Sequence, residues 1–254
     1  MNEFSYYNFF GTKGLEYLVI IAFLLLLIPF LYFLNKRARK KNRVDRPSDI
    51  LSLESLQIPQ GLFFSRYHTW TYLERSGSAK VGLDDLLVHI TGEVRLGKLV
   101  EVGEKIKKGD FLAELVQNEK SLRVYSPIAG KVMEVNPLLN KNPELINTDP
   151  YQQGWIFKIK PFSWVTDIHS CFLAEDADMW ARQELSRFKD FLAESVVKNS
   201  PDPSSVTLQD GGELHDKPLA GLPNEIWQEF QFDFLSKRKN CKSKIWFGQS
   251  DQEI

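Results

Sequence analysis

The chain is poor in cysteine and has no overall excess of charge of either sign. Only two cysteines occur in 254 residues, Cys171 and Cys241, far apart in the sequence. No Cys-X-X-Cys pair or Cys/His cluster has metal-ligand spacing, so we predict no metal site. Two lone thiols fit a reducing compartment, although one disulfide between them is compatible with the sequence. The formal net charge of −1 lacks the basic character that binds nucleic acid, which excludes that class of partner.

Motifs of catalysis are also lacking. The four histidines have no partner at a spacing that supports acid–base chemistry, so we predict structural or surface roles for them. Ser126 lies outside any Gly-X-Ser-X-Gly context, and no glycine-rich loop is followed by the Lys-Ser/Thr of a phosphate site. We therefore predict no catalytic residue and a protein that is not an enzyme. The histidines are His68, His89, His169 and His215.

One long apolar run is present near the N-terminus. Tyr17–Asn35 comprises 19 uncharged residues dominated by Leu, Ile and Phe, and about 20 such residues span a bilayer as a helix. A cleaved signal peptide is the alternative, but it places basic residues before the apolar run. Here only Lys13 precedes it and the basic residues follow, so we predict a retained transmembrane helix over residues 17–35.

The basic residues after this run set the predicted topology. Residues 36–46 contain seven Lys and Arg against the single acid Asp45, a local net charge of +6. Positively charged flanks stay in the cytoplasm. We therefore expect a single-pass protein of the cell membrane, with the short tail 1–16 outside and the globular part inside. The same cluster also suits anionic membrane lipid.

The remaining sequence predicts a linker, a β-rich domain and a helical extension. Residues 36–57 are charged and interrupted by Pro47, as in a juxtamembrane linker. Residues 58–161 show short β segments with closely spaced turns, typical of a small sandwich or barrel. Asp84 is a candidate N-cap for a short helix that ends before Gly92. The predicted strands are Arg66–Glu74, Ala79–Leu83, Val94–Val102, Phe111–Gln117, Leu122–Tyr125, Lys131–Val135 and Trp155–Lys160.

Residues 162–254 change to helical periodicity. Ala181, Leu185, Phe188 and Leu192 recur at spacings of four, three and four, which predicts an amphipathic helix. A linker is predicted at about 198–223, rich in Pro, Ser, Asp and Gly. Asn224 is a candidate cap for a second helix. The aromatic residues of both helices either pack a core or form a docking face for a partner; they are Trp164, Phe172, Trp180, Phe188 and Phe191, then Trp227, Phe230, Phe232 and Phe234.

Ordered motifs across residues 58–161 resemble one known family. The most specific is the run Asn142–Trp155, which reads Asn-Pro-Glu-Leu-Ile-Asn-Thr-Asp-Pro-Tyr-Gln-Gln-Gly-Trp. The order and spacing of these motifs are similar to those of the glycine cleavage system H protein. The other matching motifs are Ile58–Leu62, His68–Trp70, Val81–Asp84, Leu96–Gly97 with Val100, Val102–Gly103, Lys108–Asp110, Val124–Pro127, Gly130–Val132 and Val135–Asn136.

The resemblance implies a fold class and a carrier chemistry. The fold class is α+β: a mainly-β, lipoyl-type barrel-sandwich domain, to which this chain adds a C-terminal helical extension and an N-terminal transmembrane helix. In the family, a hairpin tip presents a lysine whose amine carries lipoate on a flexible arm. Because side chains alternate along a strand, a slip of one residue would redirect that lysine.

The carrier hairpin of this chain departs from the family pattern. The family usually reads Glu-Ser-Val-Lys there, and an ungapped alignment places Val116, Gln117, Asn118 and Glu119 at those positions. Glu119 thus occupies the position of the lipoyl-lysine, and a carboxylate cannot form the required amide. Lys120 stands one residue later. Either the domain is not lipoylated, which we expect, or the turn has shifted and Lys120 carries lipoate.

Two functions follow. The first is a membrane-anchored, H-protein-like docking or assembly module of a membrane-associated redox or metabolic complex, with no cofactor and with protein partners. The second is a working lipoyl carrier of the glycine cleavage system. In that case Lys120 would shuttle an aminomethyl group and electrons among glycine decarboxylase, aminomethyltransferase and dihydrolipoyl dehydrogenase.

Overall fold

The structure is a computed structural model, and it describes residue 14 and residues 17–30, 50–199 and 214–236. The chain divides into two compact units, Met1–Ser48 and Asp49–Ile254. In the first unit, residues 17–30 form helix α1, and its large apolar side chains are mostly more than half exposed. Residues 31–35 of the predicted membrane segment lie outside the described residues. Among the helices that the structure describes, none is long and apolar enough to cross a membrane.

The second unit is built on two main antiparallel sheets and a short two-stranded pair. The larger sheet has the order β2-β3-β4-β10-β9-β6, the smaller has β5-β7-β8, and β1 pairs with β11. The strands are β1 Ile50–Leu51, β2 Phe63–Ser65, β3 Thr69–Leu73, β4 Ala79–Leu83, β5 Arg95–Leu99, β6 Lys105–Ile106, β7 Phe111–Gln117, β8 Lys120–Tyr125, β9 Gly130–Val135, β10 Phe157–Pro161 and β11 Leu214–His215.

Helices and helical turns lie between and after the strands. One 3₁₀ turn precedes β2, and a π-helical turn continues the last helix without a break. The helices are the 3₁₀ turn Leu53–Ser55, α2 Asp85–Thr91, α3 Leu138–Lys141, α4 Leu145–Thr148, α5 Trp164–Ile168, α6 Glu175–Asn199, α7 Asn224–Phe230 and the π-helical turn Gln231–Leu235.

One apolar core joins the β-rich part to the C-terminal helices. Leu115 and Leu122 of the β7–β8 hairpin are fully buried in the same cluster as Phe188 of α6 and Trp227 and Phe230 of α7. Burial of side chains of this size supplies most of the stabilisation of a small domain. Residues 162–254 therefore do not form a separate body in the part that the structure describes, and the C-terminal helices share the core of the β domain.

The mainly-β fold with C-terminal helices matches the sequence prediction, with local differences. Asp84 caps α2 as predicted, its Oδ1 accepting from the backbone N–H of Leu87 at 2.8 Å. β3 begins only at Thr69, because His68 has a φ of 55°, which breaks the strand predicted from Arg66. β2 and β6 were not predicted, since runs of two or three residues show no periodicity.

The segment 198–223, predicted as a linker, also differs. Residues 200–213 lie outside the described residues, but Leu214–His215 pairs with β1 and Leu219 is fully buried. The second helix begins at Asn224, yet its N-cap is Pro223 and no side chain caps it.

Candidate functional site

The β7–β8 hairpin ends in a turn of two residues, Asn118 and Glu119. Gln117 pairs directly with Lys120 in the antiparallel ladder. Asn118 has a φ of 54°, in the left-handed region that two-residue hairpin turns require and that Asn tolerates better than most residues. Both turn residues are exposed. The structure thus places Glu119 at the projecting tip and Lys120 at the first position of β8.

The Lys120 ammonium group is held by backbone groups from the far end of the chain. Its Nζ donates to the carbonyl oxygens of Ala220 at 2.7 Å and Leu222 at 2.9 Å. It also lies 5.1 Å from the centroid of the Trp227 ring, within range of a cation–π interaction. A charged donor bound by two carbonyls and a ring face is directed toward residues 220–227 and away from the tip.

Residues 214–236, hereafter the C-terminal segment, are fastened beside the hairpin by backbone bonds to α2. The N–H of Lys217 donates to the carbonyl of His89 at 2.8 Å, and that of Leu219 donates to Ile90 at 3.1 Å. These donors satisfy carbonyls in the last turn of α2, which have no partner within their own helix. The segment therefore completes the C-terminus of α2, and it brings the carbonyls that bind Lys120 into place.

The same segment covers the free edge of the smaller sheet. β8 is an edge strand, and the side chain of Gln231 accepts from the N–H of Arg123 and donates to its carbonyl at 3.2 Å. Trp227 donates its indole N–H to Leu219 at 2.8 Å and is fully buried. An uncovered strand edge is a template for pairing with another chain. The C-terminal segment occupies that position within the same molecule.

His89 forms an electrostatic link between α2 and the C-terminal segment. Its Nδ1 lies 2.6 Å from Oδ1 of Asp216, and its Nε2 lies 3.5 Å from Oδ2 of Asp85. Burial acts to lower the pKa of His89, but the hydrogen bonds and negative charges of Asp85 and Asp216 outweigh it and raise the pKa from 6.5 to about 9. The imidazolium therefore persists at neutral pH and joins two carboxylates.

His68 forms a second buried link, to helix α6. It is 1% exposed, and its Nδ1 lies 2.9 Å from Oδ2 of Asp84. Its ring centroid lies 5.3 Å from that of Trp180. Burial lowers the pKa of His68, but the carboxylates of Asp84 and Glu184 produce a net upward shift. His68 and His89 therefore each contact carboxylates that link separate elements of the fold.

The contacts of the signature run Asn142–Trp155 are structural. Gly154 approaches the backbone so closely that a Cβ there would lie 2.5 Å from the carbonyl oxygen of Leu145. The Tyr151 hydroxyl donates to Gln57 at 2.7 Å and accepts from the N–H of Asp85 at 2.9 Å. These contacts explain why the glycine and the tyrosine hold their positions. The run forms no part of the hairpin site.

The aromatic residues predicted as core or docking face mostly belong to the core. Phe188, Trp227 and Phe230 are fully buried, whereas Phe232 is 74% exposed. Cys171 is a free thiol, and Cys241 lies outside the described residues.

The partners of Lys120 are what sequence reasoning missed. Ala220 and Leu222 contribute only backbone carbonyls and lie 100 and 102 residues along the chain, so no spacing or residue type signals them. The high density of aromatic residues near Trp227 is a sequence feature that indicates that the C-terminal segment packs against the rest of the protein.

Comparison with known proteins assigns the family. The family model described as glycine cleavage H-protein matches residues 62–183, so the match continues past the predicted domain end at residue 161 and into α6. A solved structure, the glycine cleavage system H protein from Mycobacterium marinum, is 27% identical. It aligns with 41% of this chain and 87% of its own, with a TM-score of 0.39.

Curated relatives agree with the family model. The glycine cleavage system H protein of Thermus thermophilus is 38% identical over 106 residues, which are 42% of this chain and 82% of that protein. The probable glycine cleavage system H protein of Thermococcus kodakarensis is 35% identical over 112 residues, which are 44% and 83%. The chain therefore belongs to the glycine cleavage H-protein family.

Proposed function

We propose that this chain is a membrane-anchored H-protein-family module that docks or assembles a membrane-associated redox or metabolic complex and is not lipoylated. One observation carries the proposal: the exposed tip of the hairpin is Glu119, and the neighbouring amine of Lys120 is bound by Ala220 and Leu222. Members of this family are carrier subunits without catalytic activity of their own, so the chain is not an enzyme, as the sequence predicts.

The residues at the tip do not fit an amide-linked lipoyl group. Glu119 offers a carboxylate, which cannot be acylated by a second carboxylic acid to give the stable amide. Acylation of Lys120 would replace an ammonium that has three donors by a neutral amide that has one. Two charge-assisted hydrogen bonds, each worth about 1.5–3 kcal/mol, would then be weakened or lost. The arm would also start against the C-terminal segment, where the carbonyl oxygens of Ala220 and Leu222 lie 2.7 and 2.9 Å from the amine.

The anchor is supported by the order of features in the sequence. An apolar run of 19 residues is followed by seven basic residues, the order of a single-pass protein whose globular part is cytoplasmic. Tethering raises the local concentration of a docking module near membrane partners. Extraction of host membranes with alkaline carbonate tests this part: the anchored chain stays in the pellet, and release into the supernatant would contradict the anchor.

Lipoylation of the purified full-length chain tests the hairpin part. Wild type and Glu119→Lys are incubated with a lipoate ligase, ATP and lipoate, and peptides spanning Leu115–Arg123 are analysed by mass spectrometry. We expect no addition to wild type. Gain of a lipoyl group on the Glu119→Lys chain shows that the tip remains accessible and that the residue type alone prevents modification. Acylation of Lys120 in the wild-type chain would contradict the proposal.

The second candidate is a functional lipoyl carrier that uses Lys120. The comparisons favour it over a docking role when taken alone, because the relatives are named as glycine cleavage system H proteins. In this case the C-terminal segment would have to release Lys120 before modification, and the partners would be glycine decarboxylase, aminomethyltransferase and dihydrolipoyl dehydrogenase. A lipoyl group on Lys120 that supports glycine oxidation in a reconstituted system would establish the carrier.

A further inference from the structure

Three lysines stand side by side on the outer face of the larger sheet. Lys105 of β6 is the direct ladder partner of Lys131 of β9, and Lys131 is the direct partner of Lys160 of β10. Directly opposed residues of antiparallel strands point to the same face of a sheet. Since neighbouring strands lie about 4.8 Å apart, the three stems start within about 10 Å of one another. We call these three residues the lysine row.

No acid within the described ranges forms an ion pair with the lysine row. All three side chains are exposed, and among the residues that the structure describes none of the three forms an ion pair. The lysines nearby on the same sheet are different. Lys158 lies 2.9 Å from Glu134, and Lys80 lies 3.1 Å from Glu74.

Protection of a sheet edge does not explain the row. Lysine on an edge strand discourages pairing with other chains, which accounts for Lys105 on the edge strand β6. However, β9 and β10 are interior strands whose backbone groups are paired on both sides. Lys131 and Lys160 therefore do not guard an open strand edge. Like charges directly opposed across strands destabilise a sheet. Three like charges held side by side therefore form a surface that an anionic ligand would stabilise.

We propose that the lysine row is a contact surface for the headgroup phosphates of an anionic membrane. This inference rests on the proposed anchor. The predicted membrane segment ends at residue 35, and β1 begins at Ile50. The 14 residues between them extend at most about 50 Å. A tether of this length keeps the lysine row within reach of a bilayer, where each lysine would gain from the negative surface potential.

The surroundings of the row suit a lipid surface better than an acidic protein. Met133, two residues after Lys131 on the same face of β9, is 46% exposed and adds an apolar side chain to this surface. The nearest acid along the chain is Glu104, at the end of the row beside Lys105. A lysine is a compact point charge on a flexible stem, so it follows mobile phosphates and imposes no fixed geometry on its ligand.

Lysine footprinting on the full-length chain tests the proposal. The chain is placed in nanodiscs of phosphatidylcholine, with or without about one third phosphatidylglycerol, and acetylated briefly. We expect acetylation of the lysine row to fall about fivefold or more in the anionic discs and to recover in 0.5 M salt, where the Debye length is only about 4 Å. Lys98 and Lys141, which are also exposed and unpaired in the described residues, serve as internal controls and should not change.

Variants and a second lipid format complete the test. Replacement of all three row lysines by Gln should raise acetylation of Lys158, which lies on the same face of β10 as Lys160, in the anionic discs, whereas the control pair Lys98→Gln and Lys141→Gln should not. Flotation of the full-length chain with neutral phosphatidylcholine vesicles reports the anchor alone, so a failed anchor is separable from a failed row. Equal acetylation in neutral and anionic discs would overturn the proposal. Protection seen only in native membranes that contain protein would also overturn it, in favour of an acidic protein partner.

Discussion

Replacing Lys120 by Met should loosen the C-terminal segment without disturbing the hairpin tip. Met keeps an unbranched stem that packs against Trp227 but removes the ammonium that binds the carbonyls of Ala220 and Leu222. The two carbonyls then lose a charged donor in a partly buried place. The substitution therefore tests the contacts that hold Lys120 against the C-terminal segment.

The expected size of this effect follows from the contacts. Hydrogen bonds to a charged group contribute about 1.5–3 kcal/mol each, and a cation–π contact contributes about 0.5–2 kcal/mol. Because Lys120 is only half-buried, solvent screens these interactions and the low end applies. We expect Lys120→Met to lower the free energy of unfolding by about 3 kcal/mol.

Urea unfolding and amide hydrogen exchange measure the effect. The N–H groups of Lys217 and Leu219, which donate to α2, should exchange about 100-fold faster, because 1.4 kcal/mol corresponds to a factor of ten. Glu119→Gln is the matched control: it removes a charge one residue away, on an exposed side chain, and should change stability by less than about 0.5 kcal/mol. Equal effects of the two substitutions would show that Lys120 does not hold the C-terminal segment to the hairpin.

Three further predictions concern the same structure. Because the pKa of His89 is raised to about 9, its protonated form stabilises the folded state fully below pH 6.5. This contribution, up to about 3 kcal/mol, should be lost as the pH rises through about 9. Urea titrations of wild type and Asp216→Asn at several pH values should show a smaller loss in the variant. Gly154→Ala should lower the melting temperature by several degrees because its Cβ would contact backbone at 2.5 Å, whereas Gly221→Ala, which has no atom within 4 Å, should not. Trp227→Ala should cost about 3–5 kcal/mol in urea unfolding, and a loss below 1 kcal/mol would contradict its place in the core.

The elements that the sequence predicts well are those with strong local signals. β7 occupies Phe111–Gln117 as predicted, because most of its residues are apolar and the turn signal Lys107–Asp110 precedes it. Helix α2 could be placed from Asp84, since a side chain that caps a helix acts within three residues of the chain. In α6, the recurrence of Leu185, Phe188 and Leu192 reports one buried face.

The contacts of Lys120 with the C-terminal segment could not be predicted from the sequence. The position of Glu119 at the tip follows from counting residues along the hairpin. The state of Lys120 depends on carbonyl groups, which every residue has, contributed by Ala220 and Leu222 at a separation of about 100 residues. Contacts of this kind arise only when the core forms, when Trp227 is buried against the hairpin.

The hairpin of this protein ends in the carboxylate of Glu119, and we propose that it carries no lipoyl arm. Peptide mass spectrometry across Leu115–Arg123, on protein isolated from its own host grown with lipoate, tests that claim most directly. We expect to find only the unmodified peptide. A peptide heavier by one lipoyl group on Lys120 would contradict it and identify the chain as a carrier.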